Sequence, residues 1–275
     1  MSVKPLWMAV CLALLPTLSA AEVFHWTDAQ GHIHYSDQSH QNAQQLKIQP
    51  SVSYYWVERV FDGDTILLSN GEKIRFLGVN TPEVAGRNKF AEAGGDTAKA
   101  WLKQALEHKK VYLQGDVEKY DKYQRRLAYV FTEDKQFVNL ELVKNGLAIV
   151  NIFPPNLQYL ELLLQAQQIA EQAKIGIWQL ADYQPQRYQT IDETNYKGWK
   201  RLTGRINAVK STGKNHYLQF SNGLAIQINK AYEGLFPTLT DYVDQQVEVR
   251  GWVTRANDRF AILVRHPADI KILQK

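Results

Sequence analysis

Two aspartates flank a glycine at Asp62-Gly63-Asp64, and further on the chain reads Arg75-Phe76-Leu77-Gly78-Val79-Asn80-Thr81-Pro82-Glu83. Such a set supplies oxygen: a hard cation takes carboxylate, amide and backbone carbonyl oxygens together with water. Asp64, Asn80 and Thr81 can meet if the strand carrying Arg75 runs back beside the one that begins at Thr65, and Pro82 then stiffens the loop that presents Glu83. A second polar cluster, from Glu118 to Tyr129, contributes Lys122, Tyr123 and Arg125. Arginine suits phosphate because its planar fork donates two parallel hydrogen bonds and keeps its charge. Arg75 and Arg125, one from each cluster, together with a metal and a carboxylate could drive attack on a phosphodiester. On residue types alone the alternative, a set of solvated turn charges, stays open.

The elements that must hold these residues show both backbone periodicities. Runs rich in β-branched and aromatic residues predict strands at Trp56–Val60, Thr65–Ser69, Lys73–Val79, Lys110–Gln114 and Leu127–Phe131. Helical spacing predicts helices over Glu92–Leu106, Val138–Asn145 and Leu157–Ala173; in the first, Ala98, Trp101, Leu102, Ala105 and Leu106 recur at three and four. Asp62-Gly63-Asp64 and Ser69-Asn70-Gly71 carry the turn chemistry of a β-meander.

Around this segment the chain has other parts. With 45% hydrophobic and 22% charged residues it has the composition of a folded globular protein, which excludes collagen, low-complexity disorder and a disulfide scaffold. In residues 1–21, Lys4 precedes an apolar run that ends in Ser19-Ala20-Ala21, the pattern of a secretory signal, and the run is shorter than the ~20 apolar residues of a membrane span. Removing it takes away the single cysteine, Cys11, so the expectation is an exported, periplasmic or secreted protein. Residues 22–50 read as a small β-hairpin module with four of the seven histidines; His32 and His34 share a strand face, where solvent exposure is favoured over metal binding. Residues 183–198 are polar and aperiodic, hence a linker, and 199–275 read as a small barrel with strands at Thr203–Val209, His216–Phe220, Ala225–Ile228, Gln246–Val253 and Phe260–Val264. Residues 183–275 carry a net charge of +6, which suits either a polyanionic partner or plain solubility. Lys200, Arg201, Arg205, Lys210, Lys214 and Lys230, mixed with Tyr217, Phe220 and Tyr232, fit single-strand binding by phosphate contact and stacking, or else a solvated face and a core.

Five ordered motifs give the central segment a family likeness: Val60-Phe61-Asp62-Gly63-Asp64-Thr65; Arg75 with Asn80-Thr81-Pro82-Glu83; Asp121 to Tyr129; Val138-Asn139 through Gly146-Leu147-Ala148; and Gln167 through Gly176-Ile177-Trp178. Over about residues 54–180 (residues 54–182 as a domain) the chain resembles the staphylococcal nuclease family. The resemblance implies a mainly β, α+β fold, in which an OB-fold nuclease barrel with three helices precedes a second small OB-like β-barrel. It also implies calcium-dependent hydrolysis of DNA and RNA. By the same resemblance Asp64, Asn80 and Thr81 are the metal residues and Arg75, Glu83 and Arg125 the catalytic ones, Glu83 as general base and the arginines as phosphate clamps. Lys122, Tyr123 and Phe153 are expected to bind substrate, Phe153 by stacking unless, beside two prolines, it serves packing instead. The N-terminal module likewise resembles a short Trp…Tyr-Ser-Asp domain of unknown function, here Trp26 with Tyr35-Ser36-Asp37. Three positions depart from the nuclease pattern. Asn80 stands where the family has a second metal-binding aspartate, Gln124 where it has glycine, and Asn151 to Asn156 keeps one aromatic, Phe153, where it stacks two tyrosines. The neutral Asn80 keeps a second reading alive, a non-catalytic nucleic-acid- or envelope-binding protein on the nuclease fold.

Overall fold

A computed structural model describes residues 23–46, 53–86, 91–221, 223–256 and 259–273; the segment read as a secretory signal and Cys11 lie outside them. The chain divides after Val52 into two compact units. In the first, β1 (Val23–Thr27) pairs antiparallel with both β2 (Ile33–Ser36) and β3 (Gln44–Leu46), so the expected hairpin gains a third strand. His34 Nε2 lies 2.8 Å from Asp28 Oδ2, and the indole of Trp26 stacks on His34 and His40. His34 and His40 thus take part in local hydrogen bonding and stacking.

The second unit starts with β4 (Tyr54–Val60), β5 (Thr65–Leu68), β6 (Lys73–Phe76) and β7 (Val79–Asn80), followed by α1 (Gly95–Leu106) and β8 (Lys110–Gln114). Next come β9 (Arg126–Thr132), α2 (Val138–Lys144), β10 (Ile149–Val150) and α3 (Leu160–Gln172). Five of these strands close into a barrel in the order β4-β5-β6-β9-β8, with β6 and β9 parallel. Period-two alternation decides what faces where: in β6, Ile74 and Phe76 point into the core and Arg75 to the other face. The predicted strand 73–79 is interrupted: the Leu77 amide still bonds the Ala128 carbonyl of β9 (2.9 Å), the chain then turns at Gly78 in the left-handed region (φ 73), and pairing resumes where Val79 and Asn80 meet Val150 and Ile149 across β7 and β10. Helix α1 buries Ala98, Leu102 and Leu106, which its 3.6-residue period stacks on one face against the barrel. Buried Asn139 on α2 donates to the Leu77 carbonyl and accepts from the Val130 amide, fixing the helix to the strands beneath it.

The remaining strands are β11 (Gln186–Arg187), β12 (Trp199–Arg205), β13 (Ala208–Thr212), β14 (Asn215–Gln219), β15 (Leu224–Asn229), β16 (Gln246–Ala256), β17 (Arg259–Val264) and β18 (Ile270–Ile272). They build one further sheet, in the order β11-β12-β16-β17-β15-β14-β13 with β18 beside β16. The run read as one strand over 203–209 is two: at the break the Ile206 amide and carbonyl bond to Gln245 and Asp244, and Ile206 is buried. Nor is 183–198 a free tether. Tyr188 and Ile191 sit in the core of this second β domain, while Tyr183 packs with Trp178, Trp199 and Trp252 beside Ile149 of β10 and Ala170 of α3.

Candidate functional site

Close approaches of backbone shape the site. A Cβ at Gly63 would fall 2.6 Å from Thr81 Cγ2, and one at Gly95 would overlap the Glu83 carbonyl, so only glycine lets the Asp62–Asp64 turn and the start of α1 press against the 81–83 loop. Glu92 then holds Glu83 at both backbone ends: the Glu92 amide donates to the Glu83 carbonyl (2.8 Å), and the Glu83 amide donates to Glu92 Oε2 (3.0 Å).

Asp64 is the buried centre. Its Oδ2 accepts from the Thr81 amide and pairs with Arg75 Nη1, each at 2.9 Å, while its Oδ1 accepts from Thr65 Oγ1. Burial pushes its carboxyl up to about 6, with Asp62 adding to the rise and Arg75 opposing it. Arg75 is itself mostly buried and donates to the carbonyls of Phe76 and Val79 and, at 2.8 Å, to Asn80 Oδ1. Since a guanidinium only donates, it fixes the Asn80 oxygen toward itself and leaves Asn80 Nδ2 to donate to the Thr81 carbonyl at 3.1 Å. Asn80 thus bridges Arg75 to a carbonyl expected to face a metal.

Arg125 comes from the second polar cluster, just before β9. Its Nε donates to Asp121 Oδ2 at 2.7 Å, and Asp121 Oδ1 accepts from the amides of Tyr123 and Arg125, so the turn is tied to the carboxylate four residues upstream. Burial works against ionisation of Asp121, but these bonds to Arg125 and Tyr123 outweigh it and hold the carboxyl below its usual range. Gln124 lies in the left-handed region at φ 62, the conformation in which glycine is unstrained, so the backbone keeps what the residue type departs from. Lys122 Nζ and the Arg125 guanidinium lie 4.9 and 5.6 Å from the centre of the exposed Tyr123 ring.

Asp62, Asp64, Arg75, Asn80, Thr81, Glu83, Tyr123 and Arg125 together line one cavity of about 550 Å³. A second, of about 490 Å³, shares Arg75, Tyr123 and Arg125 with it and adds Lys122, Phe153 and Arg265. All nine residues singled out from sequence therefore lie around two adjoining hollows. Sequence reading quoted Asp121 within a motif but gave it no role, although its spacing of four to Arg125 was a usable signal, and it passed over Arg265, which no motif marks. Part of the basic-aromatic set of the second β domain is structural. Arg201 pairs with Glu248 and Glu171 and is mostly buried, and Phe220 is a core residue stacked on Tyr188. Arg205 is taken up by Asp244 at 3.0 Å.

Comparison with known proteins gives the same picture over the central segment. Residues 73–180 match the family described as staphylococcal nuclease homologue, and residues 10–54 match a domain of unknown function, DUF4124. The thermonuclease of Staphylococcus intermedius is 41% identical over 128 residues, 46% of this chain and 76% of that protein. That of Staphylococcus hyicus is 39% identical over 127 residues, 45% of this chain and 75% of that protein. The endonuclease YncB of Bacillus subtilis is 35% identical over 132 residues, 46% of this chain and 62% of that protein.

Proposed function

The chain belongs to the staphylococcal nuclease family, and on that premise we propose that it is an exported, calcium-dependent nuclease that hydrolyses phosphodiester bonds of DNA, RNA or both. The observation that carries the reading is the convergence of Asp64, Arg75, Glu83 and Arg125 on one cavity. Its donors suit a hard cation: all are oxygens, and the buried Asp64 carboxylate, raised by burial and by Asp62, gains from a nearby positive charge. Asp64 and the Thr81 carbonyl would hold the calcium, and the Asn80 oxygen, which already accepts from Arg75, has a second lone pair to offer. When bound, the cation supplies charge that offsets the phosphate's.

The remaining work falls to the protein's own groups. Arg75 and Arg125 donate to the phosphate oxygens, and their charge is felt more strongly in the five-coordinate transition state than in the bound substrate. Glu83, on a loop fixed through Glu92, takes the proton from the attacking water, a role worth typically ~10²–10⁴-fold. Asp121 keeps Arg125 in place for this. The signal-like segment at residues 1–21 supports export.

One observation favours a second reading, that of a binding protein without activity: the neutral Asn80 brings no charge to the site and donates its amide to the Thr81 carbonyl that would face the cation. Incubating plasmid DNA and a transcript with the purified protein, in calcium and in chelator, separates the two. Cleavage only in calcium supports the enzyme; intact substrate in both supports the binding protein.

A further inference from the structure

Arg265 follows β17, in the second β domain, yet it lines the cavity of about 490 Å³ that holds Arg75, Tyr123, Arg125 and Phe153. Its guanidinium sits 4.5 Å from the centre of the Phe153 ring. The short turn that follows is anchored: Ala268 packs against the core of the first barrel, and the Ala268 amide donates to His266 Nδ1. The domains are further joined by buried Arg250, which donates to Glu171 on α3. Arg265 is thus delivered to the hollow by a docked surface rather than by a loose loop.

Among the described residues no carboxylate lies within ion-pair distance of Arg265, although Asp269 is near enough for its charge to act on it, in contrast to Arg75, Arg125, Arg201 and Arg250, each of which has a direct carboxylate partner. A guanidinium laid on an aromatic face is fixed in position while its in-plane N–H donors remain available for an anion. Placed in the hollow next to the two arginines of the catalytic cavity, such a group meets a polyanion at a neighbouring phosphate.

We propose that Arg265, held on Phe153, is a substrate-binding residue that the second β domain lends to the nuclease-like barrel, where it contacts a backbone phosphate flanking the one to be cleaved. The inference rests on the nucleic-acid reading above. It gives the C-terminal domain a role at the site itself, and it places a cation where the family pattern of two tyrosines is reduced to one phenylalanine.

The test is binding of a short fluorescein-labelled single-stranded oligonucleotide to the full chain, followed by anisotropy in chelator over a range of salt, for wild type, Arg265→Ala and Arg265→Lys. Arg265→Ala should weaken binding roughly tenfold and make the salt slope shallower by about 0.7, the value of one phosphate contact on a single strand. Arg265→Lys should keep the slope while binding less tightly, since a lysine cannot stack as a planar fork. Unchanged affinity in Arg265→Ala overturns the proposal, as does a loss of affinity with the slope unaltered, which would mark a packing effect. A wild type that does not bind overturns it too. Wild type that binds but fails to cleave in calcium sinks the nuclease reading and leaves Arg265 standing.

Discussion

Replacing Asp64 by asparagine should stabilise the protein while abolishing its activity. The folded structure raises this carboxyl from 3.8 to about 6, mainly by burying it, so at neutral pH the fold holds a charge it disfavours. At 1.36 kcal/mol per pKa unit the cost is about 3 kcal/mol. An amide fits the same place: its oxygen can accept from the Thr81 amide and Arg75, and its nitrogen can donate to Thr65 Oγ1. The sign follows from proton linkage. Between the unfolded value near 4 and the folded value near 6 the native state binds more protons than the unfolded one, so wild-type stability falls as pH rises through that window. The asparagine variant lacks this fall. The two proteins should therefore unfold alike near pH 4, and above pH 6 the variant should be the more stable by about 3 kcal/mol, or roughly 6 °C or more in Tm for a chain of this size. Urea and thermal unfolding in chelator from pH 4 to 8 measure this directly. A variant less stable than wild type at pH 7, or a gain equal at pH 4 and pH 7, would refute the reasoning.

Asn80→Asp restores a negative charge beside Thr81 and should lower the calcium concentration for half-maximal cleavage, read from a calcium titration; an unchanged midpoint would show that this side chain does not bear on metal binding. Arg250→Ala strips the partner from Glu171 and Glu248 at the domain junction and should cost about 3 kcal/mol or more in urea unfolding. Burial opposes ionisation of Glu248, but Arg201 and Arg250 outweigh it and lower its pKa. The junction's contribution is therefore complete above the ordinary value of 4.5 and is lost as pH falls through the folded value, so wild type and Arg250→Ala should converge in acid. Gln124→Gly relieves a left-handed backbone and should leave cleavage intact with stability within about 1 kcal/mol of wild type; a collapse of activity would mean that the glutamine side chain itself takes part.

What could be read from the sequence was whatever local pattern encodes. Period-two runs marked the five barrel strands, apolar spacing marked α1, and the Asp62–Glu83 motif marked the cavity, because these signals are carried by neighbours in the chain. The strand read through Val79 ended at Phe76 because the chain turns at Gly78, in the left-handed region at φ 73, inside a run whose residue types otherwise read as strand. Arg201 looked like a nucleic-acid contact because charge alone does not disclose a partner such as Glu248, forty-seven residues away. The same blindness applies to Arg265, whose place is set by how one domain docks on another. Asn80 shows the converse: its type was noted at once, while its bonds to Arg75 and to the Thr81 carbonyl needed coordinates.

The central claim is that phosphodiester cleavage takes place in the cavity shared by Asp64, Arg75, Glu83 and Arg125. Its most direct test is kcat on a single-stranded oligonucleotide at ~10⁻² M calcium, well above the weakest extracellular calcium sites, for wild type, Arg75→Ala, Glu83→Gln and Arg125→Ala. The account predicts measurable turnover by wild type and a fall of at least ~10²-fold in each folded variant. An inactive wild type, or variants that turn over as wild type does, would contradict it.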